Sequence, residues 1–250
     1  MATPLAGRRR RAPAWALLLA AVILGLGLVG AGFLVGRGFE RGRSADRYVT
    51  VKGLAETFVS ADLAVWPLRI TATGDELGAV QEQIDADLGT IRGFLTEQGI
   101  EDAAIQPQRV EVTDLLAQPY RPEGVGDNRF ILAQTVIVRT EQVDLVARLN
   151  QRTGELVRRG VVLVDSGGPI YLFTKLNDVK PELLAEATRN ARAAAEQFAA
   201  DSGSAIAEIR RASQGLFEIL ARDPAPNLFE PNQQDKKVRV VSTIEYRLGR

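Results

Sequence analysis

The 250-residue sequence contains no cysteine and no histidine, and its single methionine is Met1. Without cysteine the chain has no disulfide, no thiol nucleophile and no thiolate ligand for a metal. Without histidine it lacks the side chain that most often acts as a general base near neutral pH and most often binds metals. A Ser-His-Asp triad, a histidine- or cysteine-ligated zinc site and an HExxH helix are excluded. Direct sulfur-based scavenging of oxidants is excluded as well.

Charge is balanced over the whole chain but unevenly distributed along it. Residues 1–47 hold eight arginines and two acidic residues, which leaves residues 48–250 with 23 basic and 29 acidic residues and a net charge of −6. Such a mildly acidic body lacks the concentrated basic face that binding to nucleic acid requires. We therefore expect no nucleic-acid partner.

One long hydrophobic run lies near the N-terminus. Four arginines at residues 8–11 precede the uncharged stretch Ala12–Gly36, which exceeds the ~20 apolar residues that cross a ~30 Å hydrocarbon core. We interpret residues 1–11 as a basic cytoplasmic segment, 12–36 as a single transmembrane helix and 37–47 as a linker. The clustered arginines favour a protein of the inner (cytoplasmic) membrane, with its N-terminus inside and its body periplasmic or extracytoplasmic.

Two alternatives to this anchor remain open, a cleaved signal peptide and a buried soluble helix. The run is longer than the roughly 7–15 apolar residues of a signal peptide, and no clear Ala-x-Ala cleavage site follows it. Gly25–Gly30 matches the GxGxxG pattern, but that pattern indicates dinucleotide binding only between a strand and a helix. We interpret the match as coincidental.

Gly32 and Gly36 form a GxxxG motif within the same run. Such a motif allows two membrane helices to pack closely. The alternative is that glycine is simply frequent in membrane helices.

The remaining sequence alternates between strand-like and helix-like patterns. Runs rich in β-branched and aromatic residues predict strands at 48–59, 62–72, 108–116, 129–139, 161–164, 170–173, 206–219 and 238–246. Pro67 predicts that its strand lies at a sheet edge or contains a bulge. Prolines and glycines between Pro119 and Gly126 predict a long hairpin loop.

Three amphipathic helices are predicted in this body. Helical spacing places six apolar residues on one face of the first helix, which Gly99 ends: Leu77, Val80, Ile84, Leu88, Ile91 and Leu95. The second helix is predicted over 143–157. The third, over 180–200, has the inner face Leu184, Ala187, Ala191, Ala194 and Phe198. Because hairpins recur, we predict an α+β fold of mixed or antiparallel sheets with three packed helices, preceded by the transmembrane helix.

Without histidine or cysteine, catalysis would depend on carboxylates, lysine, tyrosine or serine. The candidate pairs are Asp114 with Tyr120, Asp165 with Ser166, and Lys175 with Asp178. We interpret them as caps, turns and solvated side chains, with Asp178 in an N-terminal cap region. We therefore assign no catalytic, cofactor-binding or metal-binding residue. The alternative is a hydrolase that uses two carboxylates across a cleft.

Several short motifs resemble, in their order and spacing, those of the SIMPL-domain family. They are Val49–Glu56, Ile105–Val112, Phe173–Asp178, the alanine-rich helix Leu184–Ala199, and Asp201–Ser204 followed by Ser213–Phe217. The resemblance covers roughly residues 48–248. The chain departs from the family pattern at Ser60-Ala61-Asp62, where Pro-Asp is common, and at Lys52-Gly53-Leu54, where Gly-Glu-Gly is frequent. These departures bear on the subgroup and not on activity.

The resemblance implies a bacterial envelope protein with no agreed enzymatic activity. Some members of the family are linked to defence against oxidative stress, and some assemble into ring-like oligomers. Our hypothesis is a non-enzymatic, membrane-anchored SIMPL-domain protein that acts by oligomerisation or protein binding, with any role in stress defence being indirect. Its expected partners are the membrane, further copies of itself and an envelope protein. We expect no cofactor. The alternative function is a carboxylate-dependent envelope hydrolase.

Overall fold

The computed structural model describes residues 14–44, 47–118, 128–164 and 167–249. The described helices are α1 (Ala14–Ser44), α2 (Leu77–Glu97), α3 (Val143–Asn150), α4 (Gly154–Arg158) and α5 (Leu176–Asp201). The strands are β1 (Tyr48–Ser60), β2 (Leu63–Gly74), β3 (Ile105–Asp114), β4 (Phe130–Thr140), β5 (Leu163–Val164), β6 (Ile170–Leu172), β7 (Ala205–Gln214), β8 (Glu218–Ala221) and β9 (Asp235–Gly249). The predicted α+β class is confirmed.

The strands form two sheets. The five-stranded sheet has the order β3-β4-β2-β5, and β6 also pairs with β2. All four of these pairings are antiparallel. The four-stranded sheet has the order β1-β9-β7, with β8 antiparallel to β9. The Ala61 N–H donates to Gln234 O and the Leu248 N–H donates to Arg47 O, so β1 and β9 also run antiparallel.

The chain divides into two compact units. The larger unit takes in residues 52–191 and 214–242, and it contains the five-stranded sheet with α2, α3 and α4. The smaller unit takes in the described residues of 1–51, 192–213 and 243–250, including α1 and nearly all of β7. Strands β1 and β9 and helix α5 each contribute residues to both units.

Helix α1 runs from Ala14 to Ser44, so it continues through most of the predicted linker. Large apolar side chains along it, such as Leu24 and Val29, are exposed. Within the part of the chain whose side chains the structure describes, no helix is both long enough and apolar enough to cross a membrane. The transmembrane span and its orientation therefore stay predictions. The arginines at 8–11 lie outside the described residues.

The main hydrophobic core lies on one face of the five-stranded sheet. Alternate residues of β2, from Ala64 to Ala72, are buried together with residues of α2 and α3. The predicted inner face of α2 is confirmed for Val80, Ile84, Ile91 and Leu95, with Leu88 packed against the core, whereas Leu77 is 43% exposed in the first turn. Asp87 is also buried, which raises the pKa of its carboxyl, although Gln83 Nε2 donates to it at 2.8 Å.

The prediction from Pro67 is wrong, because β2 is a central strand whose register with β4 continues without a shift through Pro67 and Ile137. The physical reason lies on the other side of β2. The Thr71 N–H donates to Val162 O on that side, and the alternation of the strand places the Pro67 nitrogen there too. β6 pairs with residues 63–65 and β5 with residues 69 and 70, so the proline falls between the two short strands.

Helix α5 differs from its prediction in both its start and its inner face. It begins at Leu176, so Pro181 lies inside the helix. Its buried stripe is Leu183, Ala187, Ala191, Ala195 and Ala199. Ala194 and Phe198 are exposed, and Phe198 retains 52% of its accessible surface. Small side chains spaced four apart let the helix backbone approach a sheet closely.

Helix α5 approaches β1 very closely at Gly53. A Cβ atom on Gly53 would lie 1.8 Å from the Ala187 carbonyl oxygen and 2.4 Å from the Ala191 nitrogen. Real atoms cannot approach so closely, so the helix backbone occupies the space that any other side chain would need. Beside this contact, Leu183 and Ala187 pack with Ala55, Val238 and Val240 in a second core.

Two predicted elements are divided in the structure. The second helix breaks into α3 and α4 around Thr153 and Gly154, both of which have weak helical propensity. The strand predicted over 206–219 breaks into β7 and β8 at Gly215, whose N–H donates to Val241 O at 2.8 Å. The final strand is instead longer than predicted and runs from Asp235 to Gly249.

Substitution at Gly53 tests the close approach of α5. We expect Gly53→Ala to lower the free energy of unfolding by at least about 3 kcal/mol, because the new methyl group meets helix backbone that must move. Gly89→Ala in α2 is the matched control, since its Cβ would meet nothing within 4 Å; it should raise stability by roughly 0.5–1 kcal/mol. Chemical denaturation measures the free energy of unfolding of both variants. Equal values for Gly53→Ala and Gly89→Ala would contradict the close contact at Gly53.

Candidate functional site

The structure describes only one member of the first candidate pair from the sequence. Asp114, at the end of β3, accepts hydrogen bonds from the Arg129 guanidinium at 2.9 Å and from the Leu116 N–H at 2.9 Å. The guanidinium holds the pKa of the Asp114 carboxyl below its usual value. Its proposed partner Tyr120 lies outside the described residues. Asp114 thus anchors the end of β3 and the turn that follows it.

The other two pairs give no catalytic arrangement that the structure describes. Asp165 and Ser166 both lie outside the described residues. Asp178 lies in the first turn of α5, where a carboxylate interacts favourably with the helix dipole, and its backbone N–H donates to Lys175 O at 3.1 Å. Lys175 lies just before the helix and lines a cleft.

Two clefts of about 710 and 700 Å³ open on the larger unit, and they share Glu141 and Gln142 at the end of β4. Two of the carboxylates that line them, those of Asp62 and Asp235, already accept hydrogen bonds from neighbouring residues. Asp62 accepts from the Thr174 N–H at 2.8 Å and from its hydroxyl at 3.1 Å. Asp235 accepts from the Ser60 hydroxyl at 2.9 Å and from Arg222 at 2.7 Å.

These contacts give Asp62 and Asp235 structural roles at the junctions β1–β2 and β8–β9. Among the described residues, no group of three or more acidic side chains is placed to hold a metal ion. The clefts have polar walls, and the other described carboxylates that line them are Glu101, Glu141 and Asp144.

Lys236 is a fully buried lysine that the sequence pattern did not predict. It lies on the core side of β9, and none of its side chain is exposed. Its ammonium donates to the Glu230 carbonyl oxygen at 2.7 Å and forms an ion pair with the Glu230 carboxylate. The pair ties the turn Glu230–Asn232 to β9. Both hydrogen bonds described for the Lys236 ammonium go to Glu230, so the ammonium is not available to a substrate. We call Lys236 and Glu230 the clamp.

The five-stranded sheet has a second face, opposite its core, that remains partly open to solvent. The register of β4, β2, β5 and β6 brings apolar side chains together there: Val65, Pro67, Ile131, Ile137, Val164, Ile170 and Leu172. We call these residues the open face. Val164, Ile170 and Leu172 are 40%, 38% and 37% exposed, and the others are half-buried by their neighbours in the sheet.

An ion pair and the exposed Arg139, which lies opposite Val65, are on the same side of the sheet as the open face. Arg69 of β2 donates to Glu111 of β3 at 2.7 Å, and this contact lowers the pKa of the Glu111 carboxyl. The two charges neutralise each other across β4. The open face therefore combines apolar, largely β-branched side chains with an ion pair and, at its end, an exposed arginine. An apolar centre with polar groups around it is the composition of a surface suited to contact with protein.

The comparison with known families fits this architecture. A family model for SIMPL, described as a protein of unknown function (DUF541), matches residues 49–246. The chain belongs to the SIMPL family. This confirms the family that the sequence motifs indicated, and the match extends over both sheets from β1 to β9. None of the curated proteins compared with this SIMPL chain matches it.

Sequence reasoning missed both Lys236 and the open face, for two different reasons. In β9 the alternation of Val238 and Val240 continues back to residue 236, which was available as a signal that this lysine points inward. The open face is assembled from four strands whose pairing order a single sequence does not reveal. Alternation within β2 and β4 shows only that each strand has a second face.

Substitutions in the clamp test whether Lys236 is charged and held by Glu230. We expect Glu230→Gln to lower the free energy of unfolding by about 1–3 kcal/mol, because it leaves a buried ammonium without its counter-charge. Lys236→Met should cost less, since the carboxylate it leaves behind is 33% exposed and can be hydrated. Denaturation curves give both values. A larger loss for Lys236→Met than for Glu230→Gln would contradict this account of the pair.

Proposed function

We propose that this SIMPL protein is a non-enzymatic protein of the cell envelope that is tethered to the membrane and acts by oligomerisation. The observation that carries the proposal is the open face. Monomeric soluble proteins rarely expose a contiguous apolar patch of large area, and such patches usually mark sites of protein contact. A sheet face of apolar rows can pack against a second copy while an exposed charge such as Arg139, at the end of β4, stays at the rim of the contact.

The tether is part of the proposal. Its support is the uncharged stretch Ala12–Gly36, the 31-residue helix α1 that contains most of it, and the exposure of the described large apolar side chains along that helix. Gly32 and Gly36 lie one turn apart on α1, and a Cβ on either would meet nothing within 4 Å in a single chain. This leaves their face available to the helix of a neighbouring copy.

Any role in stress defence would follow from assembly, because the chain has no cysteine and no methionine beyond Met1. An envelope protein other than a further copy could also use the open face. The carboxylate hydrolase gains no support from the clefts, where Asp62 and Asp235 are bound by neighbouring groups.

The open face is tested by placing a charge in it. We expect Ile170→Lys in the full-length chain to weaken self-association by about tenfold or more, because an ammonium would be buried in the contact. Leu77→Lys is the control, since Leu77 is 43% exposed in the first turn of α2, which packs on the opposite face of the sheet. Native mass measurement of the detergent-solubilised chain gives the number of copies. A monomeric wild type, or equal assembly of both variants, would overturn the proposal.

The tether and its direction are tested by reporters fused to the C-terminus. We expect activity from a reporter that works only outside the cytoplasm, and none from one that works only inside it, because the clustered arginines retain the N-terminus inside. Deletion of residues 12–36 should release the chain from the membrane fraction. A bright cytoplasmic reporter, or a deleted chain that stays with the membrane, would contradict the tether or its orientation.

A further inference from the structure

The four-stranded sheet ends at β7, and this strand is exposed along nearly its whole length. The order β1-β9-β7 places β7 at one edge, paired with β9 alone among the described strands. Nine of its ten residues are exposed, and Ile209 at its centre is 50% exposed. The unpaired side of such a strand presents a row of backbone N–H and C=O groups, which is a template for another strand.

The opposite edge of the same sheet, at β1, has one of its backbone acceptors occupied by a helix side chain. The Ala61 N–H bonds to the chain before β9, so the odd-numbered residues of β1 direct their backbone groups towards β9 and the even-numbered ones towards the edge. At that edge, Asn190 Nδ2 of α5 donates to Leu54 O at 2.8 Å. A helix side chain therefore occupies a backbone acceptor that a further strand would need.

We propose that β7 pairs with β7 of a second copy, antiparallel, about a two-fold axis perpendicular to the sheet at Ile209. The proposal rests on the oligomerisation proposed above and names one strand that carries it. The second copy is the occupant because the charges of β7 are complementary to those of the same strand turned around. A two-fold contact of this kind uses the same surface on both copies.

The charges favour one register, because among the two-fold arrangements only an axis at Ile209 places Glu208 opposite an arginine of β7. With the axis at Ile209, Glu208 lies opposite the partner's Arg210, Arg210 lies opposite the partner's Glu208, and the two isoleucines meet at the axis. Opposite charges that face each other across strands stabilise the pairing, whereas like charges destabilise it. An axis at Glu208, Arg210 or Arg211 would place two like charges directly opposite each other. Ile209 at the axis avoids this and removes two exposed apolar side chains from water.

The side chains that would meet are already held on one face. Arg247 Nη1 donates to Glu208 at 2.8 Å, and the Arg210 guanidinium lies 4.4 Å from the centre of the Tyr48 ring. Glu208 and Arg210 are two residues apart in the strand, so both lie on the side of the sheet opposite Ile209. Pairing of two copies would join these contacts into one row of alternating charges across the axis.

The absence of cysteine makes a direct test available, because only an introduced thiol can form a disulfide. In the full-length chain within membranes, we expect oxidation of Ile209→Cys to give at least about tenfold more linked dimer than Ala207→Cys or Arg211→Cys. Opposed residues of an antiparallel pair have Cα atoms about 4.5–5.5 Å apart, within the range that a disulfide spans. In this register the two copies of residue 207, or of residue 211, lie roughly 13 Å apart.

A mixture of two variants provides the matched positive control. Residue 207 lies opposite the partner's Arg211, so Ala207→Cys and Arg211→Cys should link when they are expressed together, although neither links alone. Equal thermal midpoints of the reduced variants and the wild type confirm that the strand is intact. Equal amounts of disulfide-linked dimer for all three single variants, or no linked dimer for Ile209→Cys, would overturn the β7 pairing.

Native mass measurement separates this failure from failure of the proposed function. Several copies of the wild type without linking at residue 209 would overturn the β7 pairing and leave oligomerisation standing. A monomeric wild type would overturn both proposals.

Discussion

The contact between α5 and β1 at Gly53 sets the spacing on which the second core of the structure depends. Because helix backbone lies where a side chain of residue 53 would be, Leu183 and Ala187 reach Ala55, Val238 and Val240. The alanine stripe of α5 makes this spacing possible, and a larger residue in the stripe would lift the helix from the sheet. The same placement of α5 carries Asn190 to the edge of β1.

The parts of the fold that sequence reasoning predicted are those determined by local patterns. The buried face of α2 follows from spacing alone, and the strands β2 and β4 follow from their β-branched residues and the turns beside them. The family could be identified because its motifs are short and follow each other in order over nearly the whole body. Local patterns also gave the alanine-rich helix, although they assigned Ala194 and Phe198 to the wrong face.

The features that were not predicted depend on contacts distant in sequence. Which residues of α5 are buried depends on the sheet that the helix packs against. Pro67 can lie in a central strand because it falls between the two short strands β5 and β6, which pair with β2 on either side of it. The break between β7 and β8 depends on Gly215 meeting Val241. The open face could not be predicted for the same reason, because its residues come from four strands. A strand edge becomes recognisable only when the order of the sheet is known.

Asn190 has a consequence for how far an assembly of this protein can grow. A sheet with two bare edges can add copies without limit, which is the geometry of a fibre. If β7 pairs as proposed, the outer edges of the joined sheet are two copies of β1, and in each the Asn190 amide occupies a backbone acceptor that a further strand would need. Without such a limit, many copies at high local concentration would face a high risk of aggregation. A single side-chain amide at the β1 edge would thus limit how many copies can join through the edges of this sheet.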